Sequence, residues 1–167
     1  MKKGEKGILI GIAVSAVLFW GVNGYRMAQE EGDDKGIPFY TTASVELQNQ
    51  GAELYKRLKC RDCHSLWGIR NMMQAVPAPS LDGMGSLRDE AWLYEYFSAE
   101  NPQSILPSRL KKKYQMPSFA YLSENDRRVL SAYIASLKVK DWYLDEAKKA
   151  AFEKLTGEEY VADDFEK

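Results

Sequence analysis

The chain reads as an all-α protein, and three observations predict it. Apolar residues recur at helical spacing in three stretches: Leu47, Gly51, Leu54, Tyr55 and Leu58; Trp92, Leu93, Tyr96 and Phe97; and Val129, Leu130, Tyr133, Ile134 and Leu137. Two of these stretches follow a serine with an aspartate three residues on, Ser86 with Asp89 and Ser123 with Asp126, the pattern of a capped helix start. No segment shows the sustained alternation of a strand, and no internal repeat is present.

Taken in order, the first element is Ile8 to Gly24, an uncharged run of about 17 residues or about 26 Å as a helix. That length is at the short end of what spans a bilayer. Lys2, Lys3 and Lys6 precede it, and Glu30, Glu31, Asp33 and Asp34 follow. The basic flank stays in the cytoplasm, so everything after Tyr25 is expected outside, with Trp20 and Tyr25 at the interface. Residues 1–25 are therefore read as a retained transmembrane anchor. A signal peptide cleaved near Val22-Asn23-Gly24 is the alternative, and it exports the remainder equally. The location predicted is a bacterial inner membrane, crossed once, with the main domain on the periplasmic side.

Residues 26–42 are polar and read as a linker. The first helical stripe then runs into Cys60. Residues 65–86, with Gly68, Pro77, Pro79, Gly83 and Gly85, form a long loop that must pack on something to be ordered. A helix of about 12 residues is expected from the Ser86 start, ended by Asn101-Pro102. Residues 103–122 form a second irregular stretch, with a basic run at Arg109, Lys111, Lys112 and Lys113. After the helix starting at Ser123, residues 139–167 are rich in Ala, Glu and Lys. They are read as an exposed helix to about Leu155 and a frayed acidic tail.

The 167 residues suffice for one modest domain with appendages. With 23 basic and 24 acidic residues the net charge is -1, which gives no basis for a nucleic-acid partner. The informative scarcity is 2 Cys and 1 His, all within Cys60-Arg61-Asp62-Cys63-His64. A four-ligand zinc site or a disulfide framework lacks the residues it would need. A redox dithiol would sit between a strand and a helix, whereas here a helix precedes and a loop follows.

C-x-x-C-H is the attachment signature of a c-type haem. Two thiols add across the porphyrin vinyl groups, and the adjacent His is thereby set under the iron as an axial ligand. A second His is excluded because His64 stands alone, so methionine is the natural partner for the other face. Met1 and Met27 lie outside the domain. Met72 and Met73 are too near His64 to pass round the haem edge, and Met84 is cramped. Met116 comes after a full helix, in an irregular stretch stiffened by Pro117, and is the expected second ligand.

These residues resemble the class I cytochrome c domain over Ala43 to Leu137, so 43–138 is read as that domain. The likeness rests on Gly51 and Tyr55, Cys60 to His64, Pro79-x-Leu81-x-Gly83, Met116-Pro117, and the last helix with Tyr133. It implies a cytochrome c fold around one covalent haem c. It also implies that the Pro79 carbonyl accepts a hydrogen bond from His64, that Leu81 packs on the haem, and that the first and last helices cross at Gly51. The propionate partners match no motif; Trp67, Arg70 and Trp92 are candidates. The layout of one anchor plus one haem domain is similar to the cytochrome c subunits of bacterial nitric oxide reductase and of haem-copper oxidases.

The function expected is single-electron transfer by a membrane-anchored mono-haem cytochrome. It would work as a subunit of, or shuttle to, a respiratory complex, with redox proteins as partners and no catalytic residues of its own. The alternatives are a peroxidase-like haem enzyme and a gas or redox sensor, both of which need an open iron face. The run Arg109 to Lys113 is read as a docking face for an acidic partner or as a solvated loop.

Overall fold

The computed structural model describes residues 3–32, 35–70 and 76–161, apart from the side chains of residues 3, 5, 8–10 and 26–32. The chain divides into two compact units, Met1–Ile37 and Pro38–Lys167.

The first unit holds one helix, α1, Lys3–Gly32. It runs beyond Tyr25 into the stretch read as linker. Arg, Met, Ala, Gln and Glu are all good helix formers, and nothing there breaks the helix before Gly32. Among the described residues no helix is long and apolar enough to cross a membrane. The first three residues of the apolar run, Ile8, Leu9 and Ile10, have side chains outside that set.

The second unit opens on a strand, contrary to the strand-free expectation. β1 (Phe39–Thr41) pairs antiparallel with β2 (Leu137–Val139), in register Phe39↔Val139 to Thr41↔Leu137. Three-residue strands carry no readable period. Hydrogen bonds from Thr42 N–H to the Ser136 carbonyl (3.0 Å) and from Lys140 N–H to the Pro38 carbonyl (2.9 Å) extend the pairing. Residues 39–41 thus belong to this unit rather than to a linker.

α2 (Val45–Arg57) starts at Ser44, whose hydroxyl accepts from Leu47 N–H at 3.2 Å. It crosses α5 (Glu124–Ser136), which Ser123 caps by accepting from Asp126 N–H at 3.1 Å. The crossing is made at Gly51, where any Cβ would overlap the Tyr133 ring. Leu137, expected to close the helix, instead leaves it to begin β2 and is 1% exposed.

Between the two crossed helices in sequence come α3 (Met84–Leu87) and α4 (Glu90–Ser98), which pack on α5. The helix start expected at Ser86 falls three residues later. Asp89 is the cap, accepting from Trp92 N–H at 2.8 Å, while the Ser86 hydroxyl accepts from Val139 N–H at 3.1 Å. Leu93 and Phe97 are buried with Leu54, Leu130 and Ile134, and Trp92 and Tyr96 pack against that core. α6 (Leu144–Thr156) ends at Gly157 in the left-handed region, φ 79°. It is less exposed than its composition suggests, because Ala147 and Ala151 are buried. Small alanines do not register as an apolar stripe. The acidic tail, residues 162–167, lies outside the described residues, as do Met72 and Met73.

Candidate functional site

α2 ends where Lys59 turns into the left-handed region, φ 56°. A single 3₁₀ turn, Cys60–Asp62, follows. Within it Cys63 N–H donates to the Cys60 carbonyl at 3.2 Å and His64 N–H donates to the same oxygen at 2.8 Å. The turn therefore gathers both thiols and the imidazole within one backbone loop.

His64 is fixed from two sides. The Tyr55 hydroxyl donates to its carbonyl at 3.2 Å, and its Nδ1 lies 2.7 Å from the Pro79 carbonyl oxygen. A carbonyl only accepts, so Nδ1 carries the proton and Nε2 keeps its lone pair. Burial lowers the His64 pKa, partly opposed by the bond to Pro79, and the ring is held neutral. A neutral imidazole with a free Nε2 is a metal donor.

The Pro79 segment is itself locked. Leu81 N–H donates to the Ser65 carbonyl at 2.9 Å. The Asp82 carboxylate accepts from the Trp67 and Gly68 amides, and the Ser80 hydroxyl donates to it at 2.8 Å.

The opposite wall is the irregular stretch after α4. Gln103 Nε2 donates to the Met116 carbonyl at 2.9 Å. Gln115 Nε2 donates to the Leu110 carbonyl at 2.8 Å, and the Ser118 hydroxyl to the Ala99 carbonyl at 2.7 Å. The basic run is exposed, and the Lys113 ammonium lies 4.7 Å from the Tyr114 ring centroid.

These walls enclose one cavity of about 1070 Å³, counting its open mouth. Cys60, Cys63, His64, Pro79, Leu81 and Met116 all line it, so the structure brings the expected attachment, ligand and packing residues together. Met84 and Trp92 line it as well. Trp67 and Arg70 are exposed and are not among its lining residues. Sequence reasoning missed Gln103, Lys154 and Leu155, which join the site only through tertiary folding.

The cavity fits a haem on chemical grounds. Two thiols, one neutral imidazole and a thioether face a largely apolar space, the donor set of a His/Met haem c. No disulfide joins Cys60 and Cys63. Burial pushes the Cys60 thiol up to about 11 and raises Cys63 too. A redox dithiol needs a depressed pKa, so that alternative meets the wrong environment.

The family model described as cytochrome c matches residues 48–138. The chain is 30% identical over 97 residues to cytochrome c oxidase subunit 2 of Alkalihalophilus pseudofirmus, a stretch covering 57% of this chain and 27% of that protein. The chain thus spans about a quarter of that relative's length. No solved structure matches. With more than half of its length matched, and with the thiols, imidazole and thioether on one cavity, the chain belongs to the cytochrome c family.

Proposed function

We propose that this protein is a membrane-anchored, one-haem electron carrier that serves a respiratory complex on the periplasmic side. It would act either as a subunit of that complex or as a tethered shuttle to it. As a cytochrome c the chain binds covalent haem c and transfers electrons. The observation that carries the electron-carrier reading is the sharing of one apolar cavity by His64 and Met116.

Bound haem supplies reversible one-electron Fe(II)/Fe(III) exchange. The protein's part is positional. Cys60 and Cys63 would hold the haem through two thioether bonds. Pro79 holds His64 in the tautomer whose Nε2 would be free to ligate iron. Gln103 holds the Met116 backbone, and the Met116 sulfur would be the second ligand. A thioether ligand and a dry cavity favour the reduced state and raise the potential. Leu81, Leu93, Phe97, Leu130 and Ile134 on the cavity wall keep water out.

The anchor is supported by the uncharged run beginning at Ile8 and by its basic and acidic flanks. The respiratory link is supported by the likeness to an oxidase subunit. Lys111, Lys112 and Lys113 are exposed beside Leu110 and Tyr114 on the cavity wall, and they suit an acidic partner.

The purified full chain should be coloured and keep its pigment through denaturing acid extraction. It should also show the weak far-red absorption of sulfur bound to ferric iron. Met116→Leu should abolish that band and keep the pigment, while Met84→Leu should leave the band in place. A colourless protein, or an unchanged Met116→Leu spectrum, would overturn the site assignment. Gentle-detergent purification tests the complex: co-purifying oxidase subunits are expected, and a chain recovered alone from the soluble fraction refutes the anchored reading.

A further inference from the structure

We infer that α6, which lies beyond the family match, is a wall of the haem crevice that shields the Met116 side. This inference rests on the haem reading above.

The family match stops at residue 138, and α6 begins at Leu144. Ala147, Ala151 and Leu155 are spaced four apart and form one stripe on its surface. The two alanines are buried, and Leu155 with Lys154 lines the cavity. The stripe therefore leads from the packed body of the helix to the cavity.

The end of α6 is fastened to the opposite wall. Arg109 Nη2 donates to the Lys154 carbonyl at 3.3 Å. A guanidinium at a helix C-terminus also offsets the partial negative charge there. Gly157 closes the helix with φ 79°, its N–H donating to the Glu153 carbonyl at 2.9 Å. A Cβ at this position would meet Arg109 Nε and Cζ at 3.1 Å. The left-handed backbone favours glycine here, and a Cβ would crowd the Arg109 side chain. Arg109 lies seven residues before Met116 and sits in the same irregular stretch, so the clamp braces the segment that carries the thioether. The first member of the basic run is consequently a structural tie, distinct from the exposed lysines that follow it.

The test uses the full-length, haem-loaded chain with imidazole as a small competing ligand for ferric iron. Leu155→Ser, Arg109→Gln and Gly157→Val should each keep their covalent pigment. Each should also bind imidazole about tenfold more tightly than the parent, the factor that ~1.4 kcal/mol gives. Limited proteolysis of these variants should cut within residues 140–160 sooner. Leu155→Met, which keeps the cover, and Lys149→Gln, on an exposed position of α6, should match the parent. Arg109→Gln alters an exposed side chain, so it carries the test if Leu155→Ser yields no folded protein. Parental imidazole affinity in variants whose α6 is readily cleaved would overturn the inference and leave the haem reading standing. A colourless parent, or one whose spectrum ignores Met116→Leu, would fail at the earlier step instead.

Discussion

The two walls of the cavity are built in different ways. The His64 wall is made of short-range, interlocking bonds. Cys60 to His64 close on one carbonyl, and the segments 64–68 and 79–82 are stitched together by Pro79, Ser80, Leu81 and Asp82. The stretch that carries Met116 has no regular element longer than a 3₁₀ turn, and beyond its local turn bonds it is tied by single side-chain-to-carbonyl bonds from Gln103, Gln115, Ser118 and Arg109. A network in which each bond supports the next opens as a unit. Isolated bonds open one at a time and at lower cost. The difference predicts that the thioether side is the labile half of the site, and that His64 should keep its orientation after that side has loosened.

The hardest blow to this comparison is Asp82→Ala, which removes the acceptor shared by the Trp67 amide, the Gly68 amide and the Ser80 hydroxyl. It should cost about 1–2 kcal/mol of global stability in urea unfolding, the scale of a charge-assisted acceptor lost from donors that water can partly satisfy. A loss under about 0.5 kcal/mol would mean that the His64 wall is not interlocked. Gln103→Leu should cost about 1 kcal/mol and act locally. The far-red band should vanish at a lower denaturant concentration while the loss of helical circular dichroism hardly moves. Coincident shifts of both signals would erase the distinction between the walls. Ser118→Ala should act in the same sense but more weakly, about 0.5–1 kcal/mol.

The smallest expected effect is one of pH. Burial pushes the Tyr96 phenol up to about 12, against about 10 in the unfolded chain. Between those values the unfolded chain ionises first and gives up its proton. The stabilisation is complete below about pH 10 and is lost as pH rises towards about 12. Tyr96→Phe should flatten the unfolding midpoint across that window, and an unchanged slope would show that other groups govern it.

The same contrast explains what was legible in the sequence. Helices α2, α4 and α5 announced themselves because each sets a repeated apolar face on the core, and the attachment turn is local in sequence. Pro79 meets His64 across only fifteen residues, and the bond implied by family resemblance is present. The start of α4 was misread because Ser86 and Asp89 are both good caps. Tertiary structure decided between them by engaging Ser86 with Val139, fifty-three residues away. The β1–β2 pair escaped because each strand is three residues long. Gln103, Lys154 and Leu155 escaped because neither a glutamine in a loop nor a leucine near the end of a charged helix carries a signature. Their roles come from what folding sets opposite them.

The β1–β2 ladder has a mechanical consequence. The chain enters the haem unit along β1 and leaves its family-matched part along β2, so both share one seam of three residue pairs. Tension arriving through residues 35–38 pulls on the Phe39↔Val139 end of an antiparallel pair. Such loading peels bonds one after another, rather than straining them all at once. Tugging at the N-terminal side would thus strip β1 away before it disturbed the Gly51 crossing, while the Val139 N–H bond to Ser86 would still tie β2 and the root of α6 to α3.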